Sequence, residues 1–352
     1  MEKMFMTGNE AIAEAAIQAG CRHFFGYPIT PQNEIPEYMS KRLPEVGGIY
    51  LQAESEVAAI NMLFGAAGAG ARVMTSSSSP GISLMQEGIS YIVGAQLPCV
   101  IVNIMRGGPG LGGIQPSQSD YFQATKGGGH GDYHLLVLAP HTIQEAVSLT
   151  MEAFDLADKY RNPVMVLGDG YMGQMMEPVE FEKKTSPKLP PKDWALTGAK
   201  GRTPNLVKSL YLNPVELEKH NLVINSKIKE MVKNEVRVDN YLTDDAEVII
   251  VAYGTVARIA KTALKVLRGK GVKAGMIRPI TVFPFPYETI SKMAERVNKF
   301  LVVEMSFGQM LEDVKLGLCG KAPVHFYGRT GGMVPSYDEI VSETEKLVKE
   351  AN

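Results

Sequence analysis

The stretch FFGYPITPQNEIPEYM (Phe24–Met39), followed by LQAESEVAAINMLFGAAGAGARVMTSSSSPGISLM (Leu51–Met85), decides the fold. A short apolar strand ends in a Pro-braced Thr and runs into an acidic helix start. A Gly/Ala-rich helix then feeds a Ser/Gly loop. Strand and helix in alternation, with small residues at the turns, predict a parallel sheet covered by helices. Small residues at strand ends also leave the room that a buried, flat aromatic group requires.

Working outward, the same rhythm holds from Gly8 to Gly170. It predicts strands at Arg22–Gly26, Gly48–Leu51, Arg72–Thr75, Cys99–Met105, Leu135–Leu138 and Val164–Leu167, a doubly wound parallel sheet. The stretch 171–244 breaks it with Pro187, Pro190, Pro191, Lys-rich runs and the sole Trp, Trp194, and reads as a long connection. Alternation resumes with EVIIVAYGTVARIAKTALKVLRGKGVKAGMIRPITVFPFP, and strands are predicted near Val248–Ala252, Val272–Ile277, Phe300–Val303 and Val324–Tyr327. The chain of 352 residues exceeds one typical core. The predicted division is therefore 1–170, a connection 171–244, and a smaller α/β domain 245–352.

Hydrophobic residues at 45% and charged residues at 21% match globular averages, with no apolar run of bilayer length. The opening MEKMFMTGNEAIAEAAIQAG, with Glu2, Glu10 and Glu14, reads as an amphipathic helix rather than a secretion signal, which predicts a cytoplasmic protein. A net charge of -2 without clustering gives no footprint for nucleic acid or anionic lipid. Cys21, Cys99 and Cys319 lack the C-x-x-C spacing of clusters or zinc sites and are predicted to be reduced core residues.

In open α/β sheets ligands gather at the carboxyl ends of strands. Pro28 and Pro31 bracket Thr30, so a small hydroxyl projects from a rigid turn, either toward a ligand or as the cap of a helix starting near Gln32. Glu54 and Glu56 flank Ser55 at a helix start, where one carboxylate suits the helix dipole and needs no other role. The other, beside small apolar residues, is poorly solvated and able to share a proton with a ring nitrogen. The loop containing Ser78, Ser79 and Gly81 is either plain flexible sequence or a place where a ring approaches backbone. Arg106 ends CVIVNIM before GGPGLGG; it either grips a carboxylate bidentately or forms a structural salt bridge, for instance with Asp120.

KGGGHGDYH is not a zinc helix, and His130 and His134 are expected in a loop near the mouth of the site. GDG at Gly168–Gly170 resembles the start of a magnesium-diphosphate motif, but Trp194–Lys200 stands where the motif's Asn belongs. No metal site is predicted in this chain.

Together YPITP, the ESE helix start with FGAAGAGA, the SSSSPG loop, Arg106, VAYGT, RPITVFPFP and VVEMSFGQ resemble the alpha subunit of multi-subunit 2-oxoacid:ferredoxin oxidoreductases over nearly the whole chain. The resemblance implies a thiamine diphosphate-binding, pyrimidine-type domain followed by a transketolase C-terminal-like domain. It assigns Thr30 and Arg106 to the substrate and Glu56 to the aminopyrimidine ring. Glu56 is preferred to Glu54 because Gly65 then falls in register with a Gly of the same helix. Pro28, Ser78, Ser79 and Gly81 are carried over as cofactor neighbours, although relatives often show TSGPG where SSSSPG stands. Mg2+ and iron–sulfur clusters would lie on partners: a diphosphate-binding beta subunit, a gamma subunit and a ferredoxin-like delta subunit, acting with ferredoxin, coenzyme A and a 2-oxoacid. Chain length and RGGPGLGGIQPSQSD look most like the 3-methyl-2-oxobutanoate (branched-chain) branch; the 2-oxoglutarate and pyruvate branches share every motif.

Two other readings compete. A beta-type subunit of an NAD-linked branched-chain 2-oxoacid dehydrogenase has the same two-domain layout, but YPITP favours the ferredoxin-linked group. A non-catalytic nucleotide-binding module lacks G-x-G-x-x-G after the first strand.

Overall fold

The computed structural model describes residues 3–182 and 188–349; Glu2 and Pro187 lie outside the described residues. The first part of the chain runs β1 (Met4–Thr7), α1 (Gly8–Gln18), β2 (His23–Gly26), α2 (Glu34–Glu45), β3 (Ile49–Gln52), α3 (Glu56–Gly68), β4 (Val73–Ser77), α4 (Ser79–Gly94), β5 (Cys99–Met105), α5 (Tyr121–Thr125), β6 (Leu136–Leu138), α6 (Ile143–Tyr160) and β7 (Pro163–Asp169). It continues through α7 (Gly170–Gln174), β8 (Met176–Val179), α8 (Pro214–Asn234) and β9 (Val238–Tyr241). The last part is β10 (Val248–Val251), α9 (Gly254–Gly269), β11 (Ala274–Pro279), β12 (Thr281–Phe283), α10 (Tyr287–Met293), β13 (Phe300–Glu304), α11 (Gln309–Leu318), β14 (Val324–Gly328) and α12 (Tyr337–Lys349).

The first sheet has seven strands in the order β12-β6-β7-β5-β4-β2-β3. Only its edge pair β12–β6 is antiparallel. Strand β5 shows why the sheet sits between two helical layers. Every residue of CVIVNIM is buried, and successive side chains must face opposite sides. Cys99, Ile101 and Met105 accordingly join one core, and Val100, Val102 and Ile104 the other. The second sheet, β14-β13-β10-β11-β9, is parallel except for β9. Ile249, Val251, Ile277 and Phe300 share a core with Ile101 and Met165, so one apolar layer joins the two sheets.

Three expectations change. The opening is not helical throughout: Met4–Thr7 pairs antiparallel with Met176–Val179, and α1 starts only at Gly8. Its start is fixed by a capping box, Thr7 accepting from the Glu10 amide while the Glu10 carboxylate accepts from the Thr7 amide. The stretch 171–244 contains a 21-residue helix, α8, with Asn213 as N-cap and Pro214 in its first turn, and β9 joins the second sheet. Cys319 is exposed at a left-handed helix end rather than buried, whereas Cys21 and Cys99 are core residues; burial pushes the Cys21 thiol up to about 12.

Candidate active site

From β2 the chain moves outward to β3, then returns across β2 to β4. This reversal opens a crevice at the carboxyl ends of β2 and β4, the usual ligand position in such sheets. The site residues cluster there.

Glu56 opens α3, whose N-cap Ser55 accepts from the Ala58 amide at 3.2 Å. Glu54 is exposed, while Glu56 is only 6% exposed. Among the described residues no donor is bonded to the Glu56 carboxylate. At the end of β4 the hydroxyls of Thr75, Ser77 and Ser78 are buried without partners among the described residues. Gly81 explains how this corner closes. A Cβ there would sit 2.0 Å from Ser77 Oγ and 2.6 Å from Glu56 Oε1, so the missing side chain makes room for protein groups.

Thr30 does not cap a helix. The helix after it begins at Glu34, its N-cap Asn33 makes no side-chain cap bond, and Asn33 Nδ2 instead donates to Thr30 Oγ1 at 3.3 Å. Pro28 lies exposed at the rim. Beneath the turn, Ser76 Oγ donates to Gln32 Oε1 at 2.5 Å and ties it to β4.

Arg106 is 7% exposed, and its guanidinium donates to the Thr30 carbonyl at 2.9 Å and the Leu111 carbonyl at 3.0 Å; its Nε is buried without a partner. The salt bridge with Asp120 is not formed. Asp120 Oδ2 accepts instead from Ser79 Oγ at 2.6 Å and Asn103 Nδ2 at 3.0 Å. Burial raises the Asp120 pKa, and these two donors pull it partly back. Ser79 is therefore engaged by protein, while Ser78, the N-cap of α4, leaves its hydroxyl free. Asn103 was missed in the sequence, although a lone amide inside CVIVNIM was its signal.

Two clefts of about 530 Å³ flank the Gly-rich loop after Arg106. One is lined by Thr30, Ile114, Gln115 and Tyr171, the other by Ser79, Gly108, Asp120 and Phe307. His130 and His134 are at neither. His134 leads into β6, stacks on Phe283 at 4.1 Å and has its Nδ1 2.9 Å from the Thr125 carbonyl oxygen, while His130 lies against α4, its Nδ1 3.5 Å from Ser90 Oγ. Asp169 is a buried helix cap accepting from the Tyr171 and Met172 amides, and burial raises its pKa.

Residues 14–250 match the family described as pyruvate flavodoxin/ferredoxin oxidoreductase, thiamine diphosphate-binding, and residues 246–340 match pyruvate:ferredoxin oxidoreductase core domain II. The chain belongs to this family. It is 49% identical over the full length of both chains to the ketoisovalerate oxidoreductase subunit VorB of Methanothermobacter marburgensis. Identity to the 2-oxoglutarate synthase subunit KorA of Methanothermobacter thermautotrophicus is 37%, over 98% of this chain and 99% of that one. The solved 2-oxoglutarate:ferredoxin oxidoreductase of Magnetococcus marinus, with 2-oxoglutarate, coenzyme A and succinyl-CoA bound, superposes with a TM-score of 0.88 at 27% identity over 99% of this chain. This chain spans 65% of that longer one. Among the described residues no helix is long and apolar enough to cross a membrane, and no group of three or more His, Cys, Asp or Glu could hold a metal. The family's thiamine group fits this corner by its chemistry: a buried carboxylate with no donor and, at the end of β4, three buried hydroxyls with no partner among the described residues.

Proposed function

We propose that this chain is the subunit that holds the pyrimidine end of thiamine diphosphate in a CoA-dependent 2-oxoacid:ferredoxin oxidoreductase, which converts 3-methyl-2-oxobutanoate to the acyl-CoA and CO2 and passes the electrons to ferredoxin. The observation that carries this reading is the buried Glu56 carboxylate, left without a donor among the described residues at the sheet's switch point. Bound there, the cofactor supplies a carbanion nucleophile and an electron sink for decarboxylation. Glu56 holds a proton against the ring nitrogen. Arg106, committed only to backbone carbonyls, has Nε left for the 2-oxoacid carboxylate, and Thr30 offers its hydroxyl beside it. Pro28, Ser78 and Gly81 shape the surrounding wall, with Ser78 Oγ as a free hydrogen-bonding group.

The branched-chain substrate is favoured by the 49% identity to a ketoisovalerate subunit against 37% to a 2-oxoglutarate subunit. The loop beyond Arg106 supports it, since Leu111 and Ile114 are exposed there and GGPGLGGIQPS contains no second cation for a distal carboxylate. In this proposal a beta subunit binds the diphosphate and Mg2+, and gamma and ferredoxin-like delta subunits complete the complex and carry the clusters. The setting is cytoplasmic, where unpaired thiols such as Cys21 and Cys99 persist.

The test uses the assembled complex. Glu56→Gln should lower 2-oxoacid decarboxylation roughly a hundredfold or more while subunits still co-purify, and turnover at the unmodified rate would sink the assignment. Arg106→Ala should raise KM for the 2-oxoacid, and an unchanged KM removes Arg106 from the substrate.

A further inference from the structure

Arg106 stands at an awkward place for an aiming residue. It is followed by a loop with glycines at 107, 108, 110, 112 and 113, of which Gly110 and Gly112 adopt positive φ. The loop turns back on the strand end, where Arg106 forms an antiparallel bridge with Pro116 and the Gly107 amide donates to the Gln115 carbonyl at 2.9 Å, so the backbone is held on that side. Leu111 at its crest is 82% exposed.

On its other side the arginine is held by a side chain of α4. The Arg106 amide donates to Ser79 Oγ at 3.0 Å. Having accepted that bond, the hydroxyl has Asp120 Oδ2 at 2.6 Å and the Arg106 carbonyl at 3.2 Å as targets for its own proton. The shorter contact has the length of a charge-assisted bond. Asn103 closes the circuit: its side-chain oxygen accepts from the Ser79 amide at 3.2 Å, and its Nδ2 donates to the same Asp120 oxygen at 3.0 Å. Ser79 is 8% exposed and Asn103 fully buried, so water competes poorly for these bonds.

We infer that Ser79 is a positioning residue, oriented by Asp120 and Asn103, which holds the Arg106 backbone so that its guanidinium meets the substrate carboxylate. This rests on the reading that Arg106 takes that carboxylate. A serine is suited to the task because one oxygen must accept from an amide and donate to an acid at once. Alanine at 79 leaves the Arg106 amide without that acceptor and Asp120 without one of its donors.

The assembled enzyme tests it by steady-state kinetics with 3-methyl-2-oxobutanoate and a viologen acceptor. Ser79→Ala should raise KM about tenfold, the usual scale of a lost buried hydrogen bond, with kcat changed by less than about threefold and bound thiamine unchanged. Ser79→Thr, which keeps the hydroxyl, should restore KM to within about twofold. In an Arg106→Ala background Ser79→Ala should add nothing to KM, because both changes act through one guanidinium. A wild-type KM in Ser79→Ala, a loss confined to kcat, failure of threonine to rescue, or an unchanged increment in the Arg106→Ala background would each overturn the inference. Should Ser79→Ala not assemble, Asp120→Asn carries the test: a KM raised about threefold supports the inference, and an unchanged KM ends it. If Arg106→Ala itself leaves KM unmoved, the carboxylate reading fails and this inference with it. If Arg106→Ala raises KM and Ser79→Ala does not, only this inference fails.

Discussion

At position 81 even a methyl group has nowhere to go, because Ser77 Oγ and Glu56 Oε1 already occupy the space a Cβ would enter. Gly81→Ala should therefore push α4 away from the start of α3 and cost roughly 1–3 kcal/mol, read as a lower melting temperature of the complex. An unchanged melting temperature would mean that the corner relaxes freely. The sequence placed Gly81 in the loop but assigned its smallness to an approaching ring; packing against a neighbouring carboxylate is a through-space fact that no local pattern carries. The small residues that follow left Glu54 and Glu56 undivided; the register of Gly65 in the family resemblance chose Glu56, which is the buried one of the two. The fate of the Ser79 hydroxyl was not, because its partners Asp120 and Asn103 lie 41 and 24 positions away.

Among the elements, the long central strands were legible to within about two residues, since burial on both faces writes a continuous apolar run. Strands β1, β8, β9 and β12 were not, being only three or four residues long and paired antiparallel with distant segments. Helix α8 was hidden by the prolines before it and by its outer face, where Leu222 and Val223 are exposed. Its inner face includes Lys227, whose Nζ donates to the Arg161 carbonyl at 3.0 Å. Arg161 caps α6 in a left-handed conformation and lies over Trp194 at 4.5 Å. Burial, then the nearby Arg161 charge, lowers the Lys227 pKa from 10.5 to about 7. The unfolded chain thus binds the extra proton between pH 7 and 10.5, so stability should rise with pH across that window. Lys227→Met should flatten this rise and raise stability near pH 7, measured as denaturation midpoints over the pH series. A slope identical in the two proteins would refute the depressed amine.

Across the whole molecule, the two sheets are joined by polar as well as apolar contacts. Gln118 donates to the Tyr253 carbonyl at 2.9 Å and accepts from the Met305 amide at 3.0 Å. Arg278 of β11, 3% exposed, donates to both oxygens of Glu145 on α6 at 2.9 and 3.0 Å. Burial alone would raise the Glu145 pKa; the hydrogen bond from His141 and the charge and bonds of Arg278 more than offset it and hold it at about 2. The sign for a depressed carboxylate is that its contribution is complete above the ordinary value of 4.5 and is lost as pH falls toward 2. Arg278→Met should cost about 3–5 kcal/mol at neutral pH and make the acid limb of stability shallower, as followed by denaturation at pH 2.5 to 7. An unaltered acid limb would show that the pair does not clamp the halves. Edge strand β12 adds a constraint of another kind. Thr281–Phe283 is spelled late in the gene yet completes the border of the early sheet beside Leu136–Leu138. Anyone splicing the back half from a cousin with a different appetite would thus be reupholstering the front half too, and a cut near residue 245 would strip it of its hem.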